Sequence, residues 1–148
     1  MSPNSLTLQG PVEFEYIPSD GKLTTIYLPW LPVTLSSTKK FPVGHALVDT
    51  GADITLLPME MREWIGVDLD EGAAIQIGSA GGGGFTAVPS AKKVQYSIEK
   101  PGFRALRWKG TVFFAPRQPV VLLGHYQCLD QLDLTFKGKA RTLVVQMA

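Results

Sequence analysis

The stretch Ala46-Leu47-Val48-Asp49-Thr50-Gly51-Ala52-Asp53 decides how the rest of the chain is interpreted. Three apolar residues run directly into an acid, a hydroxyl and a glycine. The apolar run predicts a buried strand, and Gly51 predicts a tight turn at its end. Because burying an unpaired carboxylate is costly, Asp49 needs a partner, a proton or a chemical role. The alternative is an ordinary turn aspartate beside Thr-Gly.

The size and charge of the chain narrow its class. Its 148 residues most simply form one domain with a sizeable core. Hydrophobic residues make up 45% and charged residues 18%, which is typical of a folded soluble protein. The net charge of +1 gives no global field that would attract nucleic acid or a membrane.

Charge is nevertheless unevenly distributed along the chain. Residues 49–71 carry seven acids and one Arg, whereas Lys92 to Lys109 carries six bases and one Glu. Two solvated faces are the favoured interpretation. A β-rich nucleic-acid binder that uses Lys92 to Lys109 stays an alternative, although no nucleic-acid motif accompanies these bases.

Cysteine and histidine usage argues against several other classes. The single cysteine, Cys128, excludes an internal disulfide and fits a reducing compartment. We expect it to be a buried hydrophobe in an amphipathic helix. The two His and the Cys show no recognised ligand spacing, so neither a metal site nor a cofactor is expected. With no signal-peptide pattern and no apolar run of about 18 residues, a cytoplasmic location without a membrane partner is expected.

Short strand patterns dominate the chain. Apolar alternation and β-branched runs bounded by turn residues predict about ten strands. Two short helices are predicted at 58–66 and 125–132, and a final hairpin is predicted to turn at Lys137-Gly138-Lys139. This number of short strands, with only two short helices, predicts an all-β domain that is either barrel-like or a sandwich.

A glycine cluster interrupts the second half of the chain at Gly78-Ser79-Ala80-Gly81-Gly82-Gly83-Gly84-Phe85. A linker is disfavoured because both halves share one strand rhythm. A phosphate-binding loop is disfavoured because no Lys-Ser or Lys-Thr follows and the cluster leads into a strand. The favoured interpretation is a hairpin tip that lets a peptide backbone approach closely and can move as a lid.

Three blocks together resemble the retropepsin-like proteases, the single-domain dimeric aspartic proteases. They are 46–53, the glycine cluster, which is similar to the family's flap, and 116–136, in which Val120-Val121-Leu122-Leu123-Gly124 precedes a predicted helix. The predicted helix at 58–66 resembles bacterial and cellular members more than viral ones. The resemblance implies a closed acid-protease-like β-barrel with a glycine-rich flap hairpin and one or two short helices. It also implies a loose arm at 1–11, a protease domain at 12–136 and a C-terminal strand extension at 137–148.

The same resemblance implies an aspartic endopeptidase. Two Asp49 carboxylates of a homodimer would share one proton and activate a water to hydrolyse a peptide or protein substrate. The catalytic residues would be Asp49, Thr50 and Gly51, with Thr50 holding the two loops together. The substrate-binding residues would be Leu47, Ala52, Asp53, Ile54, Gly81, Gly82, Gly83, Gly84, Val120 and Leu122. The alternative is a catalytically silent dimer module that binds extended peptides by strand addition.

The chain also departs from the viral members of that family. His125 follows Gly124 where viral enzymes carry an Arg, so we expect His125 to brace Asp53. Gly82 stands at the flap tip, where viral members often place an apolar residue. The chain continues past Phe136, so we expect residues 1–11 and 137–148 to build a different dimer interface.

Overall fold

The computed structural model describes residues 10–78 and 82–148, and strands dominate them. One helix, α1, spans Met61–Ile65, and 3-10 turns lie at Glu71–Ala73 and Leu129–Gln131. The strands are β1 (Val12–Glu15), β2 (Ile17–Asp20), β3 (Thr25–Leu28), β4 (Trp30–Ser36), β5 (Lys40–Val48), β6 (Leu56–Pro58), β7 (Ile75–Gly78), β8 (Gly84–Pro89), β9 (Val94–Ile98), β10 (Leu106–Gly110), β11 (Phe113–Ala115), β12 (Leu122–Leu123), β13 (Leu132–Lys137) and β14 (Thr142–Met147). The predicted all-β class is confirmed.

Nine strands form one large sheet in the order β10-β9-β4-β5-β12-β6-β11-β8-β7. The pairs β5–β12 and β6–β11 are parallel, and the other neighbours are antiparallel. Within the described residues no ladder joins β7 to β10, so the predicted closed barrel is wrong. The two end strands lie in different environments, because β7 is largely exposed whereas β10 alternates into the core.

The main core takes side chains from most strands of the large sheet. Alternation along β4 turns Leu31, Val33 and Leu35 inward, where each is 3% exposed or less. Tyr96 and Trp108 stack in the same core with ring centroids 4.9 Å apart and an interplanar angle of 8°. Each such side chain contributes about 1.5–3 kcal/mol when it is fully buried. The sheet therefore has a rigid base on which the loops at its ends are held.

A small sheet joins the beginning and the end of the described chain in the order β1-β14-β13. Val12 pairs with Val145, and Phe14 pairs with Leu143. All four of these side chains are buried in the main core. The segment 137–148 thus contributes β14 to the core of the protein, while residues 1–9 of the N-terminal arm lie outside the described residues.

The two predicted helices have different outcomes. Helix α1 ends at Gly66, whose φ of 71° gives the left-handed cap that the sequence predicts, although Pro58 belongs to β6 and the helix begins at Met61. The helix predicted at 125–132 is wrong, because Gln127 has a φ of 54°. Its side-chain Oε1 accepts a hydrogen bond of 2.8 Å from the Thr111 N–H, so a tertiary contact interrupts the helical backbone. None of the helices in the described residues is long and apolar enough to cross a membrane.

Candidate active site

Two distant parts of the chain bring Asp49 to the end of the large sheet. Strands β5 and β12 run in parallel, with Leu47 opposite Leu122 and Val48 opposite Leu123. The Asp49 N–H continues this ladder by donating to the Leu123 carbonyl at 3.0 Å. The acid therefore emerges from a buried strand pair, as the apolar run before it predicts.

A tight turn holds the Asp49 carboxylate. Its Oδ1 accepts a hydrogen bond of 3.0 Å from the Gly51 N–H, and the Ala52 N–H donates to the Asp49 carbonyl at 3.1 Å. Asp49 is half-buried, whereas Thr50 and Gly51 are exposed. Among residues 10–78 and 82–148, no donor other than the Gly51 N–H reaches the carboxylate. Most of its hydrogen-bonding capacity is thus open to a substrate, a water or a second chain.

The segment after β12 forms hydrogen bonds with the other side of this turn. The N–H groups of His125 and Tyr126 donate to the carbonyls of Ala52 and Asp53 at 3.0 and 2.8 Å. Just before them, the Gly124 N–H donates to Oγ1 of the fully buried Thr55 at 3.1 Å. The turn is therefore held along most of its length by backbone hydrogen bonds.

His125 does not brace Asp53 as the sequence analysis expects. Its ring Nε2 lies 2.6 Å from the carbonyl oxygen of Thr50. The backbone explains the difference, because the His125 N–H is fixed to the Ala52 carbonyl and an imidazole is shorter than a guanidinium. The ring therefore contacts a backbone oxygen of the Asp49 turn.

An open cleft of about 360 Å³ lies between the Asp49 turn and β7. Nine residues line it: Gly51, Ala52, Asp53, Ile54, Leu56, Ile75, Gln76, Ile77 and Gly78. The first four of these are among the predicted site residues. Its walls offer both backbone groups and apolar side chains, which suits a peptide in an extended conformation.

Three predicted pocket residues lie outside this cleft. Leu122 packs beneath it against a small buried cluster that includes Leu56 and Phe113. Leu47 and Val120 are half-buried and do not line it. The apolar walls of the cleft are instead formed by the predicted Ile54 together with Leu56 and the β7 residues Ile75 and Ile77.

The glycine cluster connects the two strands of an antiparallel hairpin. Ile77 pairs with Phe85 and Gly78 pairs with Gly84, and Gln76 Nε2 donates to Thr86 Oγ1 across the strands at 2.6 Å. Gly82, Gly83 and Gly84 are exposed, and Gly81 lies outside the described residues. The cleft-lining residues of β7 were missed in the sequence analysis. The predicted strand directly before the glycines could have indicated them.

A buried polar cluster lies behind the turn and was also missed. It consists of Thr55, Tyr96 and Cys128, all fully buried. Burial raises the pKa of Cys128 from 9.0 to about 12 and raises the pKa of Tyr96 well above 10.0. Cys128 is therefore a protonated core residue, in agreement with its expected role as a small hydrophobe, although not in a helix.

This burial predicts a loss of stability in alkali. Above pH 9 the unfolded chain releases the Cys128 proton while the folded chain keeps it up to about pH 12, so the free energy of unfolding falls as pH rises. The loss from this thiol should reach about 2 kcal/mol at pH 10.5, from roughly 1.4 kcal/mol per pH unit. Urea unfolding between pH 7 and 10.5 measures it. Cys128→Ala lowers stability at pH 7 but should show a shallower alkaline decline, and an equal decline in both proteins would contradict the prediction.

The basic stretch of the sequence maps to β9, β10 and the loop that joins them. Arg107 lies 3.8 Å from Glu99 in an exposed ion pair. Lys100 Nζ lies over the rings of Phe14 and Phe103 and donates to the Glu13 carbonyl. Two of the six bases thus have partners within the chain, which supports the interpretation of a solvated face.

Comparison with known proteins gives a likeness among solved structures. No protein-family model matches the chain, and no curated protein matches it. Among solved structures, the EIAV protease complexed with the inhibitor HBY-793 is similar to it. The two are 25% identical, the match covers 66% of this chain and 82% of that chain, and the TM-score is 0.45.

Proposed function

We propose that the chain is an aspartic endopeptidase of the retropepsin type that acts as a homodimer. One observation carries the proposal: at the end of the β5–β12 strand pair and beside an open cleft, the Asp49 carboxylate accepts a hydrogen bond from the Gly51 N–H and from no other donor among residues 10–78 and 82–148. The remaining lone pairs of this half-buried carboxylate are free to accept hydrogen bonds from a catalytic water, a substrate or a second chain.

The chemistry requires two carboxylates around one water. One takes a proton from the water as its oxygen attacks the peptide carbonyl carbon, and the other gives a proton to the carbonyl oxygen. When the tetrahedral intermediate collapses, the C–N bond breaks and the leaving nitrogen takes up a proton. Two close carboxylates cannot both ionise cheaply, so they share a proton and titrate as a pair.

A second copy of the chain supplies the second carboxylate in this proposal. Among the described residues no hydrogen bond joins the Asp49 side chain to another acid, and a two-fold axis through the turn would pair Asp49 with its own copy. The exposure of Thr50 and Gly51 supports a contact at this point. Thr50 would then hold the two turns together.

The substrate would lie in the cleft. Gly51 and Asp53 would contact its backbone, and Ile54, Ile75 and Ile77 would contact its side chains. Strand β7 ends the large sheet, so its free edge is available to an extended peptide. The glycines 81–84 would close over the bound chain as a flap.

The test is cleavage of a peptide library by the purified protein, with and without a statine-type mimic of the tetrahedral intermediate. Such mimics bind far more tightly than substrates to a site that stabilises the transition state. We expect cleavage that the mimic suppresses. Peptide binding without cleavage would instead favour a silent peptide-binding module, and cleavage that the mimic leaves unchanged would overturn the proposal.

A shared site also predicts that activity depends on assembly. Specific activity should fall on dilution below the dimer dissociation constant. Adding a threefold excess of Asp49→Asn chains should leave only about a quarter of wild-type chains paired with each other, by random pairing. Activity is measured after the chains have exchanged, and an equal mass of an unrelated protein serves as the control. Constant specific activity in both experiments would contradict a site built from two chains.

A further inference from the structure

We propose that His125 is a positioning residue that sets the hydrogen bond between the Gly51 N–H and the Asp49 carboxylate. The two contacts that support this lie at opposite ends of one peptide group. His125 Nε2 lies 2.6 Å from the Thr50 carbonyl oxygen, and the Gly51 N–H of the same peptide donates to Asp49 Oδ1 at 3.0 Å. The catalytic meaning of this arrangement rests on the proposed function, whereas the arrangement itself does not.

The planarity of the peptide couples the two contacts. The carbonyl and the N–H of one peptide unit lie in one plane and point in opposite directions, so fixing the first fixes the second. Without a partner on the carbonyl, this exposed peptide could rotate, because the glycine that follows accepts a wide range of backbone angles. His125 removes that freedom at the residue next to Asp49.

The contact also strengthens the N–H as a donor. A hydrogen bond accepted by a carbonyl polarises its peptide group, and the gain in the next bond is about 10–30%. The carbonyl oxygen can only accept, so Nε2 of His125 carries the proton in this contact. The ring therefore acts on the Asp49 carboxylate through the peptide without touching it.

Backbone hydrogen bonds fix the position of residue 125 whatever its side chain is. Hydrogen bonds from the N–H groups of Gly124, His125 and Tyr126 reach Thr55, Ala52 and Asp53. Because the ring itself is exposed, its removal deletes no core packing. Variants at this position should consequently fold, and any loss of activity reports on the Thr50–Gly51 peptide.

Three variants test the proposal kinetically. His125→Leu removes the donor, His125→Gln restores an amide N–H at similar reach, and His45→Leu removes the other histidine, which is exposed on β5. We expect His125→Leu to lower kcat roughly 10–100-fold, with KM changed less than about 3-fold and an unchanged unfolding midpoint. His125→Gln should recover most of kcat, and His45→Leu should match the wild type.

The amide proton of Gly51 gives a readout that needs no turnover. Its NMR signal should move upfield in His125→Leu, because a weaker hydrogen bond shields the proton, and should return towards its original position in His125→Gln. If the wild-type protein cleaves nothing but this shift behaves as expected, the proposed function fails and the positioning role stands. The positioning role is overturned, even in an active protease, if the Gly51 amide signal is unchanged in both variants. It is also overturned if His125→Gln has as low a kcat as His125→Leu.

Discussion

Replacing Asp49 with asparagine is expected to lower kcat by at least about 10³-fold while the fold persists. Asparagine has nearly the same size and keeps an acceptor oxygen for the Gly51 N–H, which lies 3.0 Å from Asp49 Oδ1. It cannot take a proton from water or return one to a leaving group. The substitution therefore removes the proton transfer while it leaves the structure of the turn unchanged.

The measurement is kcat on the best peptide of the library, together with urea unfolding of each protein. Asp133→Asn is the matched control, because Asp133 is an exposed acid on β13, and it should be as active as the wild type. A chelator should leave the wild-type rate unchanged, since the mechanism uses no metal. Turnover that survives in Asp49→Asn would exclude Asp49 as the catalytic acid, and strong inhibition by the chelator would indicate metal-dependent chemistry.

Substituting alanine for Gly124 is expected to destabilise the protein by about 3 kcal/mol or more and to abolish activity. A Cβ at this position would lie 2.1 Å from the Ile54 carbonyl oxygen and 2.4 Å from the Ile54 carbonyl carbon. These are backbone atoms that cannot rotate away. The collision would push the end of β12 from the Asp49 turn and break the Gly124–Thr55 hydrogen bond, which is 3.1 Å long.

Gly138→Ala provides the comparison for that substitution. Gly138 lies in the turn between β13 and β14, and a Cβ there meets nothing within 4 Å. Its free energy of unfolding should stay within about 0.5 kcal/mol of the wild-type value. Urea unfolding of the two variants gives the difference directly. Similar stabilities would mean that the close approach of Gly124 to Ile54 is not required by the fold.

The sequence predicts correctly those strands and turns whose conformation depends on residues close to them in the chain. The apolar run into Asp49 predicts the end of β5, and the glycine cluster predicts a hairpin. The helix predicted at 125–132 fails at Gln127, where the backbone has a φ of 54° and packs against the distant Gly110, while the side chain accepts a hydrogen bond from the Thr111 N–H. The closed barrel fails for a similar reason, since closure depends on whether the two end strands meet, and no local pattern specifies that.

The same distinction between local and distant neighbours applies to the residues of the candidate site. Residues 51–54 reach the cleft because they follow Asp49 directly, whereas the contribution of β7 depends on strand register, which decides which side chains face it. Leu47 and Leu122 are instead opposite one another in the parallel strand pair beneath it. The contact of His125 could not be predicted either, because the sequence does not show that its ring meets the Thr50 carbonyl rather than the Asp53 carboxylate.

The pairing of β1 with β14 affects the order in which the protein folds. Val12 and Val145 are neighbours, so nearly the whole chain must be collapsed before they meet, and closing so long a loop is entropically costly. Strands β5 and β12 both precede β14 in the chain. During synthesis the Asp49 turn can therefore assemble before the small sheet closes, because β14 is synthesised after β5 and β12.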